Sequence, residues 1–163
     1  MKLLQSIEQS FGGLKKPTMN ELRAGLEALS LTRDKISPYV TEPERLAYGR
    51  HVLLRTADVE VVVIHLPGHS KTAIHDHGSS IGCARVIEGE MLNVWYELDR
   101  GGYPEPFMAA PVAGGECMYA PRGQIHEMRN EHEQRIVSLH VYSPPLTGTK
   151  AYLPYREVLD FVI

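Results

Sequence analysis

The sequence predicts a mainly β protein in which a small helical cap precedes a β-barrel. Three patterns lead to this fold class. Helix-like spacing of apolar residues is confined to residues 1–44, short runs rich in β-branched residues follow, and turn signals separate those runs. Short strands with frequent turns are typical of all-β sandwiches and barrels. At 163 residues the chain suits a single domain, 1–163, divided into a cap (1–44), a barrel (45–145) and a tail (146–163) packing on the barrel.

The first 44 residues carry two helix patterns. Thr18 and Glu21 have the spacing of a capping box, so the second helix is expected to begin there. Pro38 predicts a break, because proline disfavours helix in the residue before it. The apolar stripe of the second helix most simply packs on the rest of the domain, and a partner-binding helix is the alternative. The first stripe, which ends at Gly12-Gly13, comprises Leu3, Leu4, Ile7 and Phe11, and the second comprises Leu22, Leu26 and Leu29.

From about residue 47 onward the pattern changes to runs of strand length. The clearest run is Val59–Leu66, in which valine and isoleucine dominate. Short segments rich in turn-forming residues separate this run from its successors, as expected of antiparallel strands joined by tight connections. These segments are Ala57-Asp58, Pro67-Gly68, Glu88-Gly89-Glu90, Asp99-Arg100-Gly101-Gly102, Ala113-Gly114-Gly115 and Pro121-Arg122-Gly123.

The composition excludes several classes of protein. Hydrophobic residues make up 43% and charged residues 23%, with a formal net charge of -3, so neither disorder nor a nucleic-acid partner is indicated. The apolar runs are too short to span a membrane, and the first residues lack the apolar core of a signal peptide. Two cysteines, Cys83 and Cys117, do not make a disulfide framework. We therefore expect a cytoplasmic monomer that acts without nucleic-acid or membrane partners.

The most informative stretch is Ile74-His75-Asp76-His77-Gly78. Residues two apart on a strand face the same side, so His75 and His77 would point to one place and Asp76 away from it. Imidazole is a common ligand for zinc, copper, iron and nickel. The pair therefore indicates a metal site, and two surface histidines at chance spacing are the alternative.

A second motif, from Gly115 to Asn130, supports the metal interpretation. It reads glycine, five residues, Pro-x-Gly, two residues, a histidine (His126), three residues and an asparagine. At this point the chain resembles the cupin superfamily, whose motifs are G…HxH…E…G and G-x5-P-x-G-x2-H-x3-N. The resemblance implies a jelly-roll-like β-barrel. The first motif matches at Gly68, His75, His77 and Gly89, with one extra residue between the first glycine and His75.

The glutamate of the first cupin motif is missing, and Gly82 occupies its position. The remaining candidate ligands are three neutral imidazoles, whereas most non-haem iron oxygenases include a carboxylate. Iron(II) in such a site keeps its full charge and three open positions. That favours an anionic, chelating substrate such as a thiolate with a neighbouring amine, and leaves room for O₂.

Two further polar patterns accompany the histidines. Ser138, His140 and Tyr142 alternate, so on a strand they would share a face, and such a relay can tune a tyrosine hydroxyl. An ordinary strand with a polar inner face is the alternative. Arg50 could offer a bidentate fork to a carboxylate, braced by Tyr48, and a solvated surface arginine is the alternative.

Together these motifs resemble the cysteine dioxygenases, the thiol dioxygenase branch of the cupins, and most strongly their short bacterial members. The resemblance runs over nearly the whole chain, from Phe11-Gly12-Gly13-Leu14 to the segment of residues 138–146. It implies Fe(II) as cofactor, L-cysteine and O₂ as substrates, and cysteine sulfinic acid as product. It also implies three metal ligands (His75, His77 and His126), a substrate carboxylate held by Arg50 next to Tyr48, and Tyr142 above the metal, oriented by His140 and Ser138. The Ser143-Pro144 bond resembles one that is cis in the family.

The chain departs from the animal members of this family at one position. Those members carry, at the position of Gly82, a cysteine crosslinked to the tyrosine. Cys83 should face away from the metal, so we expect Tyr142 to be a plain tyrosine.

Three rival functions fit parts of the same pattern. Relatives that oxidise 3-mercaptopropionate carry glutamine at the position of Arg50, so the arginine favours cysteine here. A cupin that binds a metal without catalysing a reaction is the second rival, and the relay and Arg50 would be unneeded in it. A metal-dependent isomerase is the third, and the missing glutamate disfavours it.

Overall fold

A computed structural model describes residues 2–154. Three short helices come first, α1 (Leu3–Phe11), α2 (Met19–Ala28) and α3 (Arg33–Ile36), followed by a 3-10 turn, Ser37–Tyr39. Ten strands follow: β1 (Gly49–Arg55), β2 (Glu60–Leu66), β3 (Ile74–His75), β4 (Ile81–Glu88), β5 (Glu90–Leu98), β6 (Pro104–Ala113), β7 (Cys117–Ala120), β8 (Ile125–Arg129), β9 (Ile136–Ser143) and β10 (Ala151–Tyr152).

The strands form two five-stranded sheets. The first has the order β1-β2-β9-β4-β7 and the second has the order β10-β3-β8-β5-β6, with antiparallel pairing between neighbours. An apolar cluster that draws on both sheets, including Leu66 and Val86 from one and Met91 and Met128 from the other, lies between them. The expected mainly β architecture with a helical cap is confirmed.

The helical cap packs on the outer face of the first sheet. Phe11, Leu22 and Leu26 are fully buried there, in one cluster with Val61 and Leu139 of the sheet. The stripe of α2 therefore packs on its own domain, and the capping box is present, with the Glu21 amide donating to the Thr18 hydroxyl. Leu4 of the first stripe is 43% exposed, whereas Leu3, Ile7 and Phe11 are buried.

The break predicted at Pro38 takes the form of a change in helix type. α3 ends at Ile36, and the 3-10 turn Ser37–Tyr39 accommodates the proline near its start, where no amide donor is needed. The predicted turn segments all connect strands. Gly89, between β4 and β5, has φ 85°, and an added Cβ there would lie 2.9 Å from the Arg135 carbonyl oxygen.

Part of the tail is a strand of the second sheet. β10 pairs with β3, Ala151 lying opposite His75. The Asp76 carboxylate binds this segment through the Lys150 amide at 2.9 Å and the Tyr152 hydroxyl at 2.8 Å. Packing of the tail on the barrel is thus seen up to Tyr152, while Leu153 is exposed. That expectation also rested on four apolar residues that lie outside the described residues, namely Tyr155, Leu159, Phe161 and Val162.

Within residues 2–154, every helix is too short or too polar to cross a lipid bilayer.

Candidate metal centre and substrate cavity

Three histidines from the second sheet converge on one point. His75 on β3 and His126 on β8 are direct ladder partners, and His77 follows two residues after His75. One nitrogen from each ring lies within 4.8 Å of the others, and the Nε2 atoms of His77 and His126 are 3.2 Å apart. The same-face expectation for the His-x-His pair is therefore met, although the strand itself ends at His75.

Hydrogen bonds on the far side of two rings fix which nitrogen faces the centre. His75 Nδ1–H donates to the Ala73 carbonyl at 2.7 Å, and His126 Nδ1–H donates to Asn93 Oδ1 at 2.7 Å. A neutral imidazole carries one proton, so both Nε2 atoms keep a lone pair. Such partners are usual for histidines that bind metals, because they set the tautomer and the ring orientation.

Burial keeps these rings neutral. It lowers the pKa of His75, lowers that of His77 to about 4, and lowers that of His126 well below its usual range, with the neighbouring histidines adding to the effect for His77 and His126. Neutral imidazole is the form that binds a metal. The buried His77 Nδ1 has no hydrogen-bond partner among residues 2–154. Three converging neutral nitrogens and no carboxylate among the grouped ligands fit a divalent transition metal rather than calcium or magnesium.

Tyr142 of β9 lies beside this cluster. Its ring stacks on His77, with centroids 5.5 Å apart, and on His140, with centroids 5.9 Å apart. Gly82 of β4 is its ladder partner, and a Cβ added there would lie 2.9 Å from the tyrosine ring. Cys83 belongs instead to the apolar cluster under the helical cap. Cys83 therefore lies on the opposite face of β4 from Tyr142, as expected, and a plain, uncrosslinked Tyr142 stays a prediction.

A chain of hydrogen bonds runs along the inner face of β9. Ser138 Oγ lies 2.8 Å from His140 Nε2, and His140 Nδ1 lies 3.0 Å from the Tyr142 hydroxyl. Burial lowers the pKa of His140 to about 3 and raises the pKa of Tyr142 well above its usual value, so both are neutral at pH 7. If the Ser138 hydroxyl donates to Nε2, Nδ1–H donates to the tyrosine oxygen, which leaves the tyrosine proton free to point elsewhere.

The open side of the histidine cluster faces a cavity of about 470 Å³. Its wall includes His75, His77 and Tyr142 together with Tyr48 and Arg50, so the predicted polar residues from distant parts of the sequence meet here. Arg50 is at the start of β1, and its side chain is 31% exposed. The Ser143-Pro144 bond that leads out of β9 beside this cavity is cis.

Two residues of this region were missed by the sequence reasoning. Glu60 at the start of β2 accepts from Arg50 Nη2 at 2.9 Å, and Asn93 on β5 accepts from His126. Both are fully buried polar residues inside apolar strands. The sequence signal that could have identified them is a charged or amide residue within an apolar run, since such a side chain needs a specific partner when it faces a barrel interior.

Comparison with known families identifies the chain. The model of the family described as cysteine dioxygenase type I matches residues 47–154, which is the barrel with all three candidate ligands. This chain belongs to that family. The match begins just before Tyr48 and extends through β10, so it includes the cavity wall except Arg45 and Leu46, and it leaves out the helical cap.

Solved structures agree with the fold. A conserved protein with a double-stranded β-helix domain from Klebsiella pneumoniae is 25% identical, with a TM-score of 0.57, covering 72% of this chain and 94% of that one. The cupin domain of Cnp3 from Schizosaccharomyces pombe is 10% identical, with a TM-score of 0.54, covering 66% and 70%. A protein from Thermus thermophilus is 19% identical, with a TM-score of 0.56, covering 67% and 93%. The architecture of this chain is the cupin barrel.

Proposed function

We propose that this protein is an iron(II)-dependent dioxygenase that converts L-cysteine and O₂ to cysteine sulfinic acid. The observation that carries the proposal is the meeting of three neutral imidazoles with Arg50 and Tyr142 around one cavity. The family match supports a thiol dioxygenase, and the guanidinium in the cavity wall supports a substrate that carries a carboxylate.

The metal would be held by His75, His77 and His126. When bound, iron(II) would lower the pKa of the substrate thiol and mediate the electron exchange between sulfur and O₂. The reaction adds both oxygen atoms to sulfur, so the thiol and O₂ together account for every atom of the sulfinic acid, and no bond to carbon breaks.

The protein's own groups then position the substrate. Arg50 would bind the carboxylate, which fixes the orientation of the cysteine backbone relative to the histidines. Tyr142, held by His140 and Ser138, would donate its hydroxyl proton in a hydrogen bond to the reacting groups. Tyr48, packed with Ile64 and Tyr142, would exclude water from the Arg50 side of the cavity.

We place the enzyme in the cytoplasm as a monomer in cysteine catabolism, where its product would feed sulfinate and taurine metabolism. Its two cysteines are free thiols in the structure, which agrees with a reducing compartment.

The test is O₂ uptake by protein loaded anaerobically with Fe(II), with L-cysteine and 3-mercaptopropionate assayed in parallel and the products identified by mass. We expect faster uptake with cysteine and one sulfinate for each O₂. Preference for 3-mercaptopropionate would keep the reaction and refute the role of Arg50. Uptake with neither thiol, despite bound iron, would indicate a non-catalytic cupin.

Two variants check the assignments within that assay. Arg50→Ala should mainly raise KM for cysteine, by an amount equivalent to the loss of a charged hydrogen bond, ~1.5–3 kcal/mol. His126→Ala should lose iron and activity together, and an iron-replete, fully active His126→Ala protein would refute the ligand assignment.

A further inference from the structure

Glu60 is a buried carboxylate for which the proposed reaction has no role. It opens β2, is 0% exposed, and lies opposite Tyr142 in the β2–β9 ladder. Its alternate neighbours Val62 and Ile64 face the barrel interior in one apolar cluster with Tyr142. A valine would therefore satisfy packing at this position, and the carboxylate needs another explanation.

Three donors surround the Glu60 carboxylate. Oε1 accepts from Arg50 Nη2 at 2.9 Å and from Arg55 Nη1 at 3.3 Å, while Oε2 accepts from the Leu146 amide at 3.0 Å. A buried charge is tolerated only when it is paired and hydrogen-bonded, and here both oxygens are engaged. The arrangement is thus a built ion-pair site and not an isolated surface contact.

Two of these partners belong to the cavity wall, whereas Glu60 is behind it. Arg50 and Leu146 both line the cavity that holds the histidine cluster. Arg50 comes from β1, and Leu146 follows the Pro144-Pro145 segment that leaves β9 after Tyr142. The Glu60 carboxylate is not part of the cavity wall, but it binds two residues that are. One is Arg50, and the other is Leu146, in the segment that follows Tyr142.

The contact between Glu60 and Arg50 leaves the guanidinium able to bind a second anion. Arginine has five N–H donors in a planar fork, and this contact uses one of them. The long arginine side chain loses rotamer freedom when it is held in place, and Glu60 imposes that loss before any substrate arrives. A substrate carboxylate would then meet a guanidinium already in its binding orientation.

We propose that Glu60 is a positioning residue that orients Arg50, and that it thereby sets the preference of this site for thiols that carry a carboxylate. This inference rests on the proposed function, and specifically on binding of the substrate carboxylate by Arg50. It concerns selection among small thiols and not the metal ligands, so iron content is expected to stay unchanged when Glu60 is altered.

The experiment is anaerobic calorimetric titration of the Fe(II)-loaded enzyme with L-cysteine and with cysteamine, which lacks the carboxylate. Without O₂ there is no turnover, and the ratio of the two Kd values reports carboxylate recognition alone. Wild type should bind cysteine more tightly. Glu60→Gln should reduce that preference roughly tenfold, the lower end of the effect of one charged hydrogen bond, with cysteamine binding and iron content unchanged.

Matched variants separate positioning from general damage. Glu88→Gln is the control, because Glu88 also forms a part-buried ion pair with an arginine, Arg135, but away from the cavity. This variant should leave the preference for cysteine over cysteamine unchanged. In the Arg50→Ala background, Glu60→Gln should have no further effect on the preference. If Glu60→Gln does not fold, Glu60→Asp retains the charge but withdraws the carboxylate from its partners, and the same fall is expected.

The outcomes are distinct. A preserved preference in a folded, iron-loaded Glu60 variant overturns the proposal, as does an equal weakening of cysteine and cysteamine binding, which would mark Glu60 as merely structural. If wild type itself shows no preference for cysteine, the carboxylate role of Arg50 fails and this inference fails with it. The proposed reaction is tested separately by O₂ uptake with cysteine, so the two failures are distinguishable.

Discussion

Replacing Gly82 with alanine should displace Tyr142 from its position beside the three histidines. The added Cβ would lie 2.9 and 3.0 Å from two carbons of the Tyr142 ring, whereas carbon atoms in contact are about 3.5–4.0 Å apart. The ring must therefore retreat by about 0.5–1 Å. His77 and His140 stack on it, so the adjustment cannot be confined to a flexible chain end.

The size of the effect follows from these contacts. Overpacking of a close-packed interior costs about 1–3 kcal/mol, which for a chain of this length lowers Tm by roughly 2–12 °C. The bond between His140 and the Tyr142 hydroxyl is already 3.0 Å long, and a shift of about 0.5 Å brings it to the limit of a hydrogen bond. Losing that bond should lower kcat by about two- to tenfold.

Thermal denaturation and steady-state O₂ uptake measure the two effects. Gly13→Ala is the matched control, because an added Cβ there would meet nothing within 4 Å, and it should change neither quantity. In a Tyr142→Phe background, which has no hydroxyl to misplace, Gly82→Ala should not lower kcat further. A Gly82→Ala enzyme with wild-type Tm and kcat would refute the reasoning.

Three further predictions concern other contacts. Asn93→Ala removes the acceptor that orients His126, and should weaken iron binding about 10–100-fold in competition with a chromophoric chelator; unchanged affinity would contradict this. Asp76→Ala removes the carboxylate that binds the Lys150 amide and the Tyr152 hydroxyl, so residues 149–153 should exchange amide hydrogens faster, and unaltered exchange there would argue against an anchoring role. Burial raises the pKa of Cys83 to about 12, so at pH 8 iodoacetamide should modify it in unfolded but not in native protein, as mass spectrometry would reveal. Equal labelling of Cys83 in native and unfolded protein would show that its side chain is not buried. The stability that the neutral Cys83 thiol contributes is present below the unfolded-state pKa of ~8.5 and is lost as pH rises towards 12.

The barrel and the cluster of candidate metal ligands could be predicted from the sequence because each carries a local signature. Alternation places Ser138, His140 and Tyr142 on one face whatever the rest of the chain does, and the two cupin motifs fix His75 and His126. The role of β10 could not be predicted, because the two residues Ala151 and Tyr152 carry no strand pattern of their own and become a strand only by pairing with β3.

The roles of Glu60 and Asn93 could not be predicted from the sequence for a different reason. Each has a partner that is distant in sequence or on another strand, and neither lies within a motif. A glutamate at the start of a valine-rich strand is equally consistent with a solvent-facing end. Only the register, which turns Glu60 inward beside Arg50, distinguishes the two cases.

Because β10 pairs with β3, the strand that carries His75 gains one of its two neighbours only late in synthesis of the chain. His75 is on a two-residue strand between β8 and β10, so one of its two neighbours is made about 75 residues later. A nascent chain that has reached only β9 already contains all three histidines but leaves the β3 edge open. Metal loading is therefore expected to follow synthesis of β10, and a variant terminated before Ala151 should retain most of the barrel yet bind metal poorly.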